Sequence, residues 1–490
     1  MVCVLAVVSA SLGCTRPSSE TDVGAARVTL GPCEPSFGDA RCGVLRVPED
    51  PSAPGGRTLE IGFAVLPSTA REPELDPVFL LAGGPGQGAA SLAPMIGHKF
   101  KAILAHRDMV FVDLRGTGRS NPLICAIEDP RDLSELLGAE FHVEKLDGCL
   151  ADYEVDTAAF TTPRAMDDVD AIREALGYEQ INLFGISYGT RAALVYMRRH
   201  GDRVRSAVLD GVAPLDVALS MEMPRNSEAA LGAVLDDCRA QPSCDAAFPD
   251  LERKLDEVLR DLDAGRVLRE VTHPRTGELL RIDVAPAGFL GALRLALYSG
   301  ESAALLPLVI DRAHGGDFNP VAALLLRAAG MSETMSAGLY FSVSCAEDLY
   351  GNSEAERAKA EAGLRFFDSE YLERLGEACA RWPHASMPAE YWAPVVSDVP
   401  TLLLSGRYDP ATPPAMGERV AARLSHGRHV IAEGASHGVW HQGCALELAA
   451  ELFATADPDK LDPSCLEAVG RPPLFLSAAG PRPLPVEASP

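Results

Sequence analysis

The sequence predicts a doubly wound α/β fold, a mostly parallel sheet flanked by helices and interrupted by one large, mainly helical insertion. Three observations predict it. Short apolar runs at 77–82 (PVFLLA), 108–114 (DMVFVDL), 181–184 (INLF) and 204–209 (VRSAVL) each end in a glycine-rich or polar turn, as buried parallel strands do. From about Leu215 to Trp392 this alternation gives way to long helical segments. It resumes at Pro400 with Thr401–Leu404 and His429–Ala432, each followed by a loop and a helix. At 490 residues the chain is long enough for a large core plus an insertion. The expected segments are a leader and tether at 1–32, a first core part at 33–214, the helical insertion at 215–392, a second core part at 393–470 and a Pro-rich tail at 471–490.

In chain order, Val44–Val47 and Leu59–Leu66 read as hairpin strands around a Pro/Gly-rich turn, the second alternating Leu59, Ile61, Phe63 and Val65. The run at 77–82 empties into Gly83-Gly84-Pro85-Gly86-Gln87-Gly88. No Gly-Lys-Ser/Thr follows and the glycine spacing does not suit a dinucleotide, so a phosphate cradle is set aside. A loop stripped of side chains presents backbone N–H groups, which suits an oxyanion hole. Asp113 and Arg115, at the next strand end, read as braces for the Arg115–Ser120 turn. A helix is expected over Thr162–Leu176, with Thr162 as cap and Gly177 as stop. Insertion helices are expected at 226–240, 251–264, 287–299, 302–313 and 321–328, and two more at 416–424 and 444–453. Beyond Arg471 the chain reads as Pro-rich and disordered.

Gly185-Ile186-Ser187-Tyr188-Gly189 matches G-x-S-x-G between an apolar strand and a helix-forming stretch. A nucleophile on such a turn has little room around it, hence the flanking glycines, and the helix N-terminus behind it favours a developing anion. A serine hydroxyl needs a base, and the base needs an orienting acid. Asp409 and His437 also fall just after predicted strands, at the edge where open α/β sheets bind ligands. The order Ser187, Asp409, His437 is that of the α/β-hydrolases. The backbone N–H groups of Gly84 and Tyr188 are the candidate oxyanion donors. His429 lies inside a strand, and Asp398 lies at the opposite strand end. His437, His441 and Cys444 lack the glutamate of H-E-x-x-H, so no metal is expected, nor any organic cofactor.

A formal charge of −25 argues against nucleic acid and against docking on anionic lipid. Val2–Leu12 has the length of a signal-peptide apolar core, although no basic residues precede it. Ser11-Leu12-Gly13-Cys14 is an imperfect lipobox, which favours a membrane tether through lipidated Cys14 or plain secretion over a cytoplasmic protein. Apart from Cys3 and Cys14, ten cysteines remain, an even number that fits disulfides in an oxidising compartment. Neighbours would pair as Cys33 with Cys42, Cys125 with Cys149, Cys238 with Cys244, Cys345 with Cys379 and Cys444 with Cys465.

With these motifs in hand, the chain resembles the prolyl and tripeptidyl aminopeptidases of the α/β-hydrolase superfamily, especially the secreted tripeptidyl group. The resemblance rests on Gly83–Gly86, Asp113–Ser120, Gly185–Thr190, Gly406–Pro413 (GRYDPATP), Ser436–Gly438 and Ser344–Asp348 (SCAED), within about Cys33–Cys465. Ala82 stands where that family has a histidine, which loosens the link to the strict prolyl enzymes. The resemblance implies hydrolysis at the free N-terminus of a peptide substrate. Such an enzyme must bind an ammonium group, and Glu222, Glu347 and Asp348 are the candidate counter-charges. A carboxylesterase would use the same triad, and a non-catalytic tethered binding protein would share only the scaffold.

Overall fold

The apolar runs become the centre of one large sheet. The computed structural model describes residues 28–481 except 54, 128, 130, 139–141, 266–267, 333–334, 350–353 and 368–369. Its strands are β1 (Gly31–Pro32), β2 (Arg41–Pro48), β3 (Thr58–Leu66), β4 (Val78–Leu81), β5 (Met109–Val112), β6 (Ile181–Ile186), β7 (Val204–Asp210), β8 (Leu268–Thr272), β9 (Leu279–Asp283), β10 (Thr401–Gly406) and β11 (Gly427–Ala432). Nine form a sheet in the order β1-β2-β3-β5-β4-β6-β7-β10-β11, while β8 and β9 pair separately as an antiparallel hairpin. From β5 to β11 all neighbours are parallel; β1, β2 and β3 add an antiparallel edge. Chain order reverses beside β4, so the loops after β4 and β6 flank a switch point, where open sheets place their ligands.

β4 shows why these runs are continuously apolar. Phe79 and Leu81 face one core with the Thr162–Ala175 and Tyr188–His200 helices. Val78 and Leu80 face the other, with Phe100 and the Ala445–Thr455 helix. Both faces are covered, so no position on the strand can be polar.

The segment between β7 and β10 builds a core of its own. Leu231, Val234, Leu255, Phe289, Leu293 and Ile310 are buried together there. Leu133 and Leu137, far earlier in the chain, join that core, and the Ala285 N–H donates to the Leu137 carbonyl at 2.8 Å.

Several local expectations are revised. The first insertion helix, expected at 226–240, starts earlier: it runs Leu219–Ala240 and carries Pro224 inside it. The stretch expected as one helix over 302–313 divides into Gly300–Ala303 and Leu306–His314. The β8–β9 hairpin was not foreseen. Of its strand positions only Val271 and Ile282 are buried, too few to write an alternating pattern. The helix cap lies at Thr161 rather than Thr162. The start of the tail is packed: Leu474 is buried in the insertion core and the Phe475 N–H donates to Ala304 at 3.0 Å. The expected leader, including Cys14, and the tail beyond residue 481 lie outside the described residues.

The ten cysteines pair as neighbours: Cys33–Cys42, Cys125–Cys149, Cys238–Cys244, Cys345–Cys379 and Cys444–Cys465. Asp113 accepts from the backbone N–H groups of Ala90 (2.8 Å) and Arg119 (3.0 Å). Arg115 forks onto Asp168 at 2.7 and 2.8 Å. Both are braces, as their turn position suggested. Among the described residues, no helix is long and apolar enough to cross a membrane.

Candidate active site

Ser187 sits between β6 and the Tyr188–His200 helix with φ 57° and ψ −123°. A non-glycine residue in that region is strained and is held only by its surroundings. The flanking glycines are fixed by close approach. A Cβ on Gly185 would stand 2.5 Å from the Gly189 carbonyl, and one on Gly189 would stand 2.0 Å from the Leu81 carbonyl. The turn is tied down on both sides. The Ser187 N–H donates to the Asp210 carbonyl at 2.8 Å, and the Thr190 N–H donates to the Ser187 carbonyl at 2.8 Å.

Asp409 follows β10 and is fully buried in its side chain. One oxygen accepts from the backbone N–H groups of Ala411 and Thr412, both at 2.8 Å. The other accepts from the Thr412 hydroxyl at 2.9 Å and lies 2.8 Å from Nδ1 of His437. Burial alone would push the Asp409 carboxyl up; the imidazole beside it and these backbone donors outweigh burial and hold it below its ordinary value. For His437, burial pulls the ring down, but the charges of Asp409 and Asp210 prevail and raise it above the usual 6.5. The Thr412 hydroxyl also lies 3.3 Å from Nδ1 of His437.

Asp210, the last residue of β7, is the important residue that sequence reasoning passed over. It is fully buried. Its carboxylate accepts the N–H groups of Val439 and Trp440, each at 2.8 Å, just past His437. Burial lifts its pKa to about 6 against those two donors. Its neighbour Gly211 packs under the imidazole: a Cβ there would stand 3.1 Å from Cε1 of His437 and 3.1 Å from the Thr412 hydroxyl. The pair Asp210-Gly211 therefore fastens the Ser187 turn through a carbonyl, the His437 loop through a carboxylate and the ring through bare backbone. The only signal in the sequence was an Asp-Gly at a strand end.

The glycine loop after β4 lies against the same turn. A Cβ on Gly83 would stand 3.3 Å from Cβ of Ser187. Gly84 has φ +113°, and Met335 Cε would stand 2.9 Å from any Cβ placed there. The Ser336 N–H donates to the Gly86 carbonyl at 2.9 Å. Tyr188 opens the helix, so its N–H is among those with no partner inside that helix.

The three carboxylates expected to meet an ammonium group do not form an open anionic cup. Glu347 is fully buried; its oxygens accept from the Thr162 N–H and hydroxyl, each at 2.7 Å, and from the Tyr391 hydroxyl. Burial raises its pKa against those bonds. The Thr162 hydroxyl also lies 2.7 Å from that of Tyr188, so Glu347 braces the residue next to Ser187. Asp348 is buried and ion-paired with Arg191 at 2.5 Å. Charges already committed to buried partners are not available to a ligand. Glu222 is half-buried on the Leu219–Ala240 helix. His429 lies in β11, 2.9 Å from the Ser405 hydroxyl, and burial lowers its pKa.

The insertion reaches the rim as well. The ring of Tyr298 stands edge-on to that of His437, with centroids 5.0 Å apart. Asn226 donates to the Ala411 carbonyl at 3.1 Å.

Comparison with known proteins follows the same outline. Residues 76–247 match the profile of the alpha/beta hydrolase fold, and residues 365–465 match that of the TAP-like proteins. The serine protease Hip1 of Mycobacterium tuberculosis is 25% identical over 440 residues, 83% of each chain. The tripeptidyl aminopeptidase of Streptomyces lividans is 29% identical over 191 residues, 35% of each chain. Carboxylesterase B of Mycobacterium tuberculosis is 33% identical over 229 residues, 42% of this chain and 43% of its own. With a mostly parallel sheet, a serine on a strained strand-to-helix turn and these two partial profiles, the chain has the α/β-hydrolase fold and is similar to the tripeptidyl aminopeptidase-like proteins.

Proposed function

We propose that Ser187, His437 and Asp409 are the catalytic triad of an exported aminopeptidase that releases a residue or short peptide from a free N-terminus. The observation that carries this reading is the Asp210-Gly211 joint. It binds the Ser187 turn and the His437 loop to one strand end, while Asp409 holds Nδ1 of the imidazole at 2.8 Å. In this reading Ser187 Oγ attacks the scissile carbonyl as Nε2 of His437 takes its proton. Asp409 fixes the ring's tautomer and stabilises the imidazolium. The N–H groups of Tyr188 and Gly84 hold the oxyanion, each worth about 3 kcal/mol in the transition state. His437 then returns the proton to the leaving amine, and water repeats the sequence on the acyl-enzyme. No cofactor enters.

The named relatives supply the substrate class: a serine protease along most of the chain and a tripeptidyl aminopeptidase along a third of it. The insertion at 215–392 acts as the cap that limits access. Glu222, on its first helix, is the remaining candidate for the substrate ammonium. The esterase reading rests on the likeness to carboxylesterase B. A paired assay separates the two. Free tripeptidyl-arylamides should be cleaved and their N-acetylated counterparts spared; equal rates on both, or turnover of short p-nitrophenyl esters alone, would refute the aminopeptidase.

Five disulfides accord with an oxidising, extracytoplasmic compartment. A lipid tether at Cys14 belongs to this proposal too, and metabolic lipid labelling should disappear in Cys14→Ala.

A further inference from the structure

Among the described residues, one basic group near the rim has no acidic partner. Arg294 lies on the Pro286–Leu297 insertion helix and is half-buried. Its guanidinium carbon is 5.9 Å from the Tyr298 ring, and its Nη1 donates weakly to the Tyr298 hydroxyl at 3.4 Å. That same ring stands against His437. Among the described residues Arg294 makes no ion pair, whereas Arg374 close by is matched by Glu370. The chain as a whole carries −25, and most of its buried or half-buried arginines among the described residues are ion-paired, so an unmatched one is unusual.

Arg294 lines a cavity of about 160 Å³ between three insertion segments, with Met223, Leu290, Phe367, Tyr371 and Arg374. Pockets for whole small-molecule ligands run roughly 300–1,000 Å³, so this one suits a single side chain. Its lining is mainly apolar, and among the described residues that line it the formal balance is positive: Arg294 and Arg374 against Glu370. It lies one aromatic ring away from His437. An extended peptide rises about 3.3 Å per residue, so a side chain within roughly three positions of the scissile bond can reach it.

We propose that this cavity is a specificity subsite for an acidic substrate side chain, with Arg294 as the group that recognises its carboxylate. Guanidinium suits the task because it is permanently charged and meets a carboxylate with two parallel N–H donors. The methylenes of a glutamate would lie against Met223, Leu290 and Phe367, and its carboxylate against Arg294. The proposal rests on the peptidase reading above for its substrate and on the cavity alone for its chemistry.

The test compares Glu with Gln, an uncharged near-isostere, at each of the two residues preceding the scissile bond and at the substrate N-terminus, in free tripeptidyl-arylamides. The wild-type enzyme should favour Glu over Gln in kcat/KM by about tenfold at one position, the scale of a charge-assisted hydrogen bond. In Arg294→Met that ratio should fall to about one, and Arg294→Lys should keep part of it. A wild-type ratio near one at every position, or a ratio unchanged in Arg294→Met, would overturn the subsite. If the enzyme cleaves no peptide but does cleave esters, the peptidase reading fails by itself. The subsite is then read on p-nitrophenyl hydrogen succinate against the butyrate ester. A preference for succinate lost in Arg294→Met sustains it, and no preference, or one the substitution leaves intact, sinks it.

Discussion

The rim of the sheet and the insertion above it are built by different rules. At the rim the buried carboxylates are committed: Asp409 accepts four hydrogen bonds, Asp210 fastens two loops, and glycines at 185, 189 and 211 are fixed by atoms that leave little room for a side chain. The insertion has its own apolar core and touches the rim through a few side chains, Tyr298 and Asn226 among them. The difference teaches where chemistry and selectivity reside. Substitutions at the rim should act on every substrate, and substitutions in the insertion should act on some.

The largest effects fall at the rim. Ser187→Ala should abolish hydrolysis, a loss of at least about 10⁴-fold in kcat with the fold intact by circular dichroism. Asp409→Asn should cost about 10⁴-fold, because the amide no longer fixes the imidazole tautomer. Asp210→Asn keeps one acceptor but faces the other backbone N–H with a donor. It should lower kcat/KM by roughly 10- to 100-fold, the scale of losing one charge-assisted bond that positions the base.

A pH profile sharpens the comparison. His437 must be neutral to accept a proton, and its pKa lies above the ordinary 6.5. So kcat/KM should climb with pH through a value above 6.5. In Asp210→Asn a negative charge near the ring is gone, so the climb should move to lower pH. An unmoved limb would leave Asp210 with a mechanical role alone.

The smallest effect on chemistry is expected in the insertion. Tyr298→Ala removes the ring beside His437 and should change kcat/KM by about tenfold or less, unevenly across substrates. A uniform loss as deep as that of Asp210→Asn would erase the distinction between the regions.

The two regions were also unequally legible in the sequence. Strands β4, β6 and β10 are buried along nearly their whole length, so each wrote a largely apolar run, and Ser187 and Asp409 could be placed at the ends of β6 and β10; His437 followed the shorter, less buried β11. The glycines of the elbow were readable because their backbone has no room for a side chain. Asp210 was not readable as a joint, since its partners are backbone N–H groups more than two hundred residues away, and backbone donors leave no trace in side-chain pattern. Glu347 and Asp348 misled for a related reason. Acids in an apolar stretch suggest a binding site, but Thr162, Tyr391 and Arg191 meet them from distant segments. The β8–β9 hairpin was hidden because so little of it is buried.

The measurement that bears most directly on the account is peptide mapping of the folded protein after reaction with a serine-directed fluorophosphonate. The account predicts a single adduct on Ser187, formed quickly in the wild type and much more slowly in Asp409→Asn. An adduct on another serine, or labelling of Ser187 at the same rate in both proteins, would contradict it.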